Sequence, residues 1–157
     1  MSDVFTKAKR SAVMSRIRGH GNKDTELALM KLFRQHRITG WRRNQKVFGK
    51  PDFIFRLQKI AVFVDGCFWH GCPRCYRKPK SNRKFWENKI TRNRRRDREV
   101  GRKLRNAGWR VIRFWQHELA KKGDMCARKI ESAKQKNARP FRRKKIDTAA
   151  AFPRSGF

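Results

Sequence analysis

Acidic side chains are scarce in this chain. Twelve Asp and Glu stand against 44 Lys and Arg in 157 residues, a formal charge of +32. Such an excess repels itself in a compact state unless a polyanion meets it, so nucleic acid is the expected partner, ahead of an anionic membrane surface. It also far exceeds what solubility requires. Long apolar runs are missing too: no stretch approaches the roughly 18 residues that a membrane-spanning helix needs. The opening Met1-Ser2-Asp3-Val4-Phe5-Thr6-Lys7 lacks the basic-then-apolar layout of a secretory signal. No internal repeat is visible. Cysteine is sparse, and three of the four fall between positions 67 and 75. That clustering suits metal ligation in a reducing compartment better than a disulfide framework. A bacterial cytoplasm is the expected setting. The length fits one domain over 1–137, with a loosely ordered basic tail over 138–157.

Aromatic residues, by contrast, make up 11% of the chain and include five Trp, too many for a disordered basic tail. A short basic helix is expected over 6–18, broken by Gly19-His20-Gly21-Asn22. Asp24 or Thr25 can cap a mostly buried helix running to about Arg37, with Glu26 in its first turn, where the helix dipole favours an anion. Asp52-Phe53-Ile54-Phe55 reads as a strand pairing with 60–65 across a short connection. Ser81 or Asn82 can cap a helix whose buried side takes Phe85, Trp86 and Ile90. The heavily basic 92–107 is helical, with Val100, Leu104 and Ala107 on one stripe and Gly108 at its stop. Residues 109–115 form a third strong strand, Gln116-His117-Glu118-Leu119 turns out of it, and a last helix spans about 124–136. The expected fold is α/β, a small mixed sheet flanked by helices.

Residues 64–75, Val-Asp-Gly-Cys-Phe-Trp-His-Gly-Cys-Pro-Arg-Cys, hold the densest chemistry. Cys67, Cys72 and Cys75 are spaced to close three thiolates on one tetrahedral zinc. His70, His117 and Cys126 compete for the fourth position. His117 leaves its strand much as Cys67 leaves the preceding one, which would free His70 as an acid/base. In a hairpin the first residue of one strand lies near the last of its partner, so Asp52 and Asp65 are expected at one sheet end. Two such carboxylates suit a Mg2+ ion, with Glu26 as a third acid. Phe68 and Trp69 sit in the metal loop, an unlikely place for core, where large rings can wedge into a bent duplex; Trp86 suits either that role or the core. The Arg92–Arg98 run, including Arg94 and Arg95, reads as a phosphate-contacting face.

With these residues assembled, the chain resembles the very-short-patch-repair (Vsr) mismatch endonuclease family from about Lys9 to Leu119. The resemblance rests on Gly49-Lys50-Pro51-Asp52-Phe53, Gly66-Cys67-Phe68-Trp69-His70, Phe85-Trp86-Glu87-Asn88-Lys89-Ile90, Asp97-Arg98 and Gly108-Trp109-Arg110-Val111. It implies a restriction-endonuclease-like core with a structural zinc, nicking duplex DNA 5′ of the thymine in a T:G mismatch with catalytic Mg2+. Carried over, Asp52 and the Val64 backbone carbonyl bind Mg2+, His70 is the general base, and Glu26 lies in the active site. Phe68, Trp69 and Trp86 form an aromatic wedge, with Met14 at the opposite groove, and Cys67, Cys72, Cys75 and His117 match the zinc positions. Asp65 stands where the best-known members have a histidine, adding a carboxylate, and the zinc ligands are a different Cys/His mixture. A monomer is expected, with mismatch-repair proteins as candidate partners. A related sequence-specific endonuclease of restriction or homing type, or a non-catalytic zinc-stabilised DNA-binding module, are the alternatives.

Overall fold

Short runs of β-branched and aromatic residues build a four-stranded sheet. Its strands are β1 (Trp41–Arg43), β2 (Phe53–Phe55), β3 (Ile60–Asp65) and β4 (Arg110–Trp115), side by side in that order. The computed structural model describes residues 25–138, so the expected helix over 6–18, Asp24, Met14 and the tail beyond 138 lie outside the described residues. β2 and β3 form the expected hairpin, Phe53 opposite Val62, closed by Lys59 at a positive φ of 51°. β1 pairs antiparallel with β2, whereas β4 runs parallel to β3. The sheet is therefore mixed. A parallel neighbour requires a crossover, and α2 (Arg83–Asn106) supplies it in one continuous helix of 24 residues. The other helices among the described residues are α1 (Glu26–Gln35), α3 (Gln116–Lys121) and α4 (Gly123–Lys136).

Strand alternation divides the core in two. On one face Phe53, Phe55, Ile60, Val62, Val64, Ile112 and Phe114 pack against Leu29, Leu32 and Phe33 of α1, Leu119 of α3, and Ala127, Ile130 and Ala133 of α4. On the other face Ala61 and Phe63 meet Val100 and Leu104 of α2. Phe33, Phe53 and Phe55 are fully buried, and Phe33 meets the other two rings edge-on at 5.2 and 5.7 Å. At roughly 1.5–3 kcal/mol per buried large apolar side chain, the first face anchors the sheet. The second is thinner, and its sheet end is left for polar groups.

The ends of the helices depart from expectation. Thr25 precedes α1 without a side-chain cap bond, and the helix stops at Gln35. Asn82 stands before α2 in the left-handed region, likewise without a side-chain cap bond. Phe85 is 59% exposed rather than core, because the first turn of α2 ends away from the buried stripe of Ile90, Val100 and Leu104; its ring instead stacks edge-on Trp86 at 5.2 Å. Gln116–Lys121 forms a short helix, not a turn, and its Glu118 carboxylate accepts the Trp115 N–H at 2.9 Å.

Candidate active site

Alternation places Asp52, Asp65 and Arg113 on the α2 face of the sheet, since each keeps the parity of Ala61 and Phe63 across the observed registers. All three open onto one cleft at the sheet end, together with Lys50, Val64, His70, Arg96 and Asp97. The sequence expectation that Asp52 and Asp65 share a sheet end is met to that extent. Asp52 Oδ2 accepts the Val64 N–H at 2.7 Å. In an extended strand the N–H and C=O of one residue point the same way, so the Val64 carbonyl also faces the Asp52 side. Asp52 lines a second hollow with Glu26, Lys46 and Lys50. Glu26 is buried at the start of α1, and its carboxylate accepts a 2.5 Å ion-paired hydrogen bond from Arg43 of β1.

Asp65 takes different partners. Arg113 Nη1 donates to both of its oxygens, at 2.7 and 2.8 Å, across neighbouring parallel strands. His70 Nδ1 lies 2.5 Å from Asp97 Oδ2 and 3.7 Å from Asp65 Oδ1. Among the described residues, Asp65, His70 and Asp97 bring one ligand atom each within 4.8 Å of one another. Burial pushes the Asp65 carboxyl above its ordinary range despite the opposing Arg113 guanidinium and His70. Burial works the same way on Asp97, but the His70 hydrogen bond and the charges of His70, Arg113 and Arg96 outweigh it and hold that carboxyl low. Asp97 is therefore placed as an acceptor for His70 Nδ1, and Nε2 is the ring nitrogen left outside that contact.

One face of α2 fastens the loop that carries His70. Asn93 Nδ2 donates to the Trp69 carbonyl at 2.8 Å, Arg94 Nε to the His70 carbonyl at 3.2 Å, and Arg94 Nη2 to the Gly71 carbonyl. Gly71 sits at φ +62°, and a Cβ there would come within 2.7 Å of both Arg94 Nη2 and Ile90 Cγ2. Only glycine lets the loop lie this close to the helix. Arg94 is thus engaged with the loop backbone as well as lying on the basic face, where Arg95 is exposed.

The three thiols of the loop gather, and of the candidates for a fourth position it is His117 that lies beside them. Asp65 pairs with Trp115, so Cys67 and His117, each two residues further on, emerge side by side from parallel strands. His117 Nδ1 lies 3.3 Å from Cys67 Sγ and 3.6 Å from Cys72 Sγ. Tetrahedral zinc with ordinary Zn–S and Zn–N bonds puts S and N about 3.6 Å apart, so His117 stands at ligating separation from Cys67 and Cys72. Cys67, Cys72, Cys75 and His117 form a Cys3His cluster able to hold a metal. Burial pushes the Cys67 thiol up to about 11, a proton that a metal would displace. His70 is drawn away to Asp97, and Cys126 is buried in the α1–α4 core.

Phe68, Trp69 and Trp86 pack against one another, with centroids 5.0–5.7 Å apart. All three are half-buried rather than core. Tyr76 and Phe85 extend the cluster. The sequence alone gives neither Asp97 nor Arg113 a role, although Asp97-Arg98 carries part of the family resemblance. Asp97 stands three residues before Val100 and seven before Leu104, an acid on the apolar stripe of a basic helix. No comparable signal marked Arg113.

The family model described as "DNA mismatch endonuclease Vsr" matches residues 2–77. The type II nicking enzyme V.NmeDIP of Neisseria meningitidis serogroup C is 43% identical over 133 residues, 83% of this chain and 89% of the relative. V.NmeAIP of serogroup A is 39% identical over 133 residues, 83% and 92% of the two chains. The DNA mismatch endonuclease Vsr of Escherichia coli is 34% identical over 123 residues, 76% of each chain.

Proposed function

The chain belongs to the Vsr family of DNA mismatch endonucleases, and from that premise we propose that it nicks duplex DNA on the 5′ side of the thymine in a T:G mismatch, with catalytic Mg2+. One observation carries this reading: Asp52 with the Val64 carbonyl side, and His70 held by Asp97, open onto a single cleft. The names of the nicking relatives support cleavage of one strand. Asp52 and the Val64 carbonyl would hold the magnesium, hard oxygen donors suited to it. Once bound, the ion offsets charge building on the scissile phosphate. His70 Nε2 takes the proton of the attacking water, while Asp97 holds the ring by Nδ1. Lys50 and Arg96, on the cleft wall, face the flanking phosphates. Glu26 fixes Arg43 beside the same hollow as Asp52. The core is read as restriction-endonuclease-like, and the protein as a monomer.

The Cys3His cluster is read as a structural zinc that staples the metal loop to the end of β4. The purified protein should contain about one zinc per chain, and Cys72→Ser should lose it together with a large part of the melting temperature, because binding free energy at such a site is folding free energy. A metal-free preparation that melts unchanged overturns this reading.

Mismatch choice is assigned to Phe68, Trp69 and Trp86. Unstacking costs least beside a mismatch, so Trp69→Ala should narrow the affinity gap between T:G and fully paired duplexes. Arg95→Ala should instead weaken both alike and flatten the salt dependence by about one unit of slope. Competition binding at several salt concentrations separates the two. The overall reading is tested by nicking a panel of duplexes that carry every single mismatch, with Mg2+ and with EDTA. Cleavage confined to T:G duplexes and abolished by EDTA is expected; cutting of paired DNA at a fixed sequence would move the protein to the sequence-specific endonucleases.

A further inference from the structure

Arg113 is bound more tightly into the site than a phosphate contact would require. Its Nη1 forks onto both Asp65 oxygens at 2.7 and 2.8 Å, its Nη2 reaches Asp97 Oδ1 at 3.4 Å, and its guanidinium carbon lies 4.5 Å from the Phe63 ring centre. Two carboxylates and an imidazole whose ligand atoms lie within 4.8 Å of one another make a donor set for a divalent cation. Arg113 bonds two of those three groups. A planar guanidinium with fixed donors matches paired carboxylates and carries its charge at any working pH. Arg96 also approaches Asp97, at 3.7 Å, but its side chain is mostly exposed and it does not reach Asp65.

We propose that Arg113 is a positioning residue: a built-in cation that stands in for a divalent ion in the Asp65–His70–Asp97 corner and so confines the catalytic metal to Asp52 and the Val64 carbonyl. It turns Asp65 away from the metal and leaves Asp97 free to hold His70 Nδ1. A metal drawn into this corner would compete with the His70–Asp97 bond for the same atoms and take the ring out of use. The inference deepens the reading of Asp52 as the magnesium site and rests on it.

The test uses the full-length, zinc-loaded protein and counts bound Mn2+ by calorimetry and by electron paramagnetic resonance. Arg113→Met should bind one more Mn2+ than the unaltered chain, and Asp65→Asn/Arg113→Met should lose that extra ion. Nicking with Mg2+ should fall about 10–100-fold in Arg113→Met, as for a lost partner that orients a working group, and recover in large part in the double variant. A merely structural arginine would add no ion, and the double variant would be no better than the single one. An unchanged Mn2+ count in Arg113→Met, or a double variant as impaired as the single, overturns the proposal. Arg113→Gln keeps a donor for Asp65 and serves with the same expected increment if the methionine variant does not fold. Because the increment is read against the unaltered chain, it stands apart from the magnesium reading, which fails separately if Mn2+ binding to the unaltered chain is absent or survives Asp52→Asn.

Discussion

Asp52→Ala should abolish nicking while leaving T:G duplex binding close to that of the unaltered chain. Asp52 lines the cleft at the sheet end. Its carboxylate sits at the sheet end against the Val64 N–H, and binding is assigned to the cationic faces and to Phe68, Trp69 and Trp86. A divalent ion at a phosphoryl centre supplies several kcal/mol of transition-state stabilisation, and each 1.36 kcal/mol is about a tenfold change in rate. The loss should therefore reach the floor of a nicking assay. Gel-shift and nicking measurements on one preparation check this. If nicking persists in Asp52→Ala, the magnesium corner has been misplaced.

His70→Ala should slow nicking by about 10²–10⁴-fold, the range for a lost general base, without loss of zinc. The second clause matters because His70 lies between Cys67 and Cys72 in sequence yet bonds Asp97, while His117 approaches the thiols. Asp97→Asn should fall in the same direction by a smaller factor, since it keeps the ring in place but no longer favours the Nδ1 proton. Single-turnover rates with zinc content measured in parallel decide it. A His70→Ala protein that has lost its zinc would show the two histidines to be exchanged in their roles.

Much of this arrangement was legible from local pattern. The β2–β3 hairpin follows from two apolar runs across a short connection, and that hairpin brings Asp52 and Asp65 to one sheet end. The thiols needed only their own spacing, because three ligands within one loop can close on an ion whatever the rest of the chain does. His117 could be argued from its likeness to Cys67, one strand over. Helix ends were read less well. Of the paired cap candidates, Thr25 and Asn82 make no side-chain cap bond, while Asp24 lies outside the described residues, and Phe85 stands before a buried side that begins only at Ile90.

Composition and local order thus determined a basic, nucleic-acid-directed α/β chain with a cysteine-rich loop able to hold a metal and two acids at one end of its sheet. Those properties depend on charge totals, on strand and helix periods, and on spacings of a few residues. The partner of each acid was decided only by the tertiary structure. Arg113 meets Asp65 because β4 lies parallel to β3 with Phe63 opposite Arg113 and Asp65 opposite Trp115; a register one residue away would turn an apolar side chain toward Asp65 instead. Asp97 meets His70 because α2 crosses the sheet at the one rotation that buries Val100 and Leu104 against Ala61 and Phe63. Register and helix rotation are set by packing between segments distant in the chain, and no local pattern carries them.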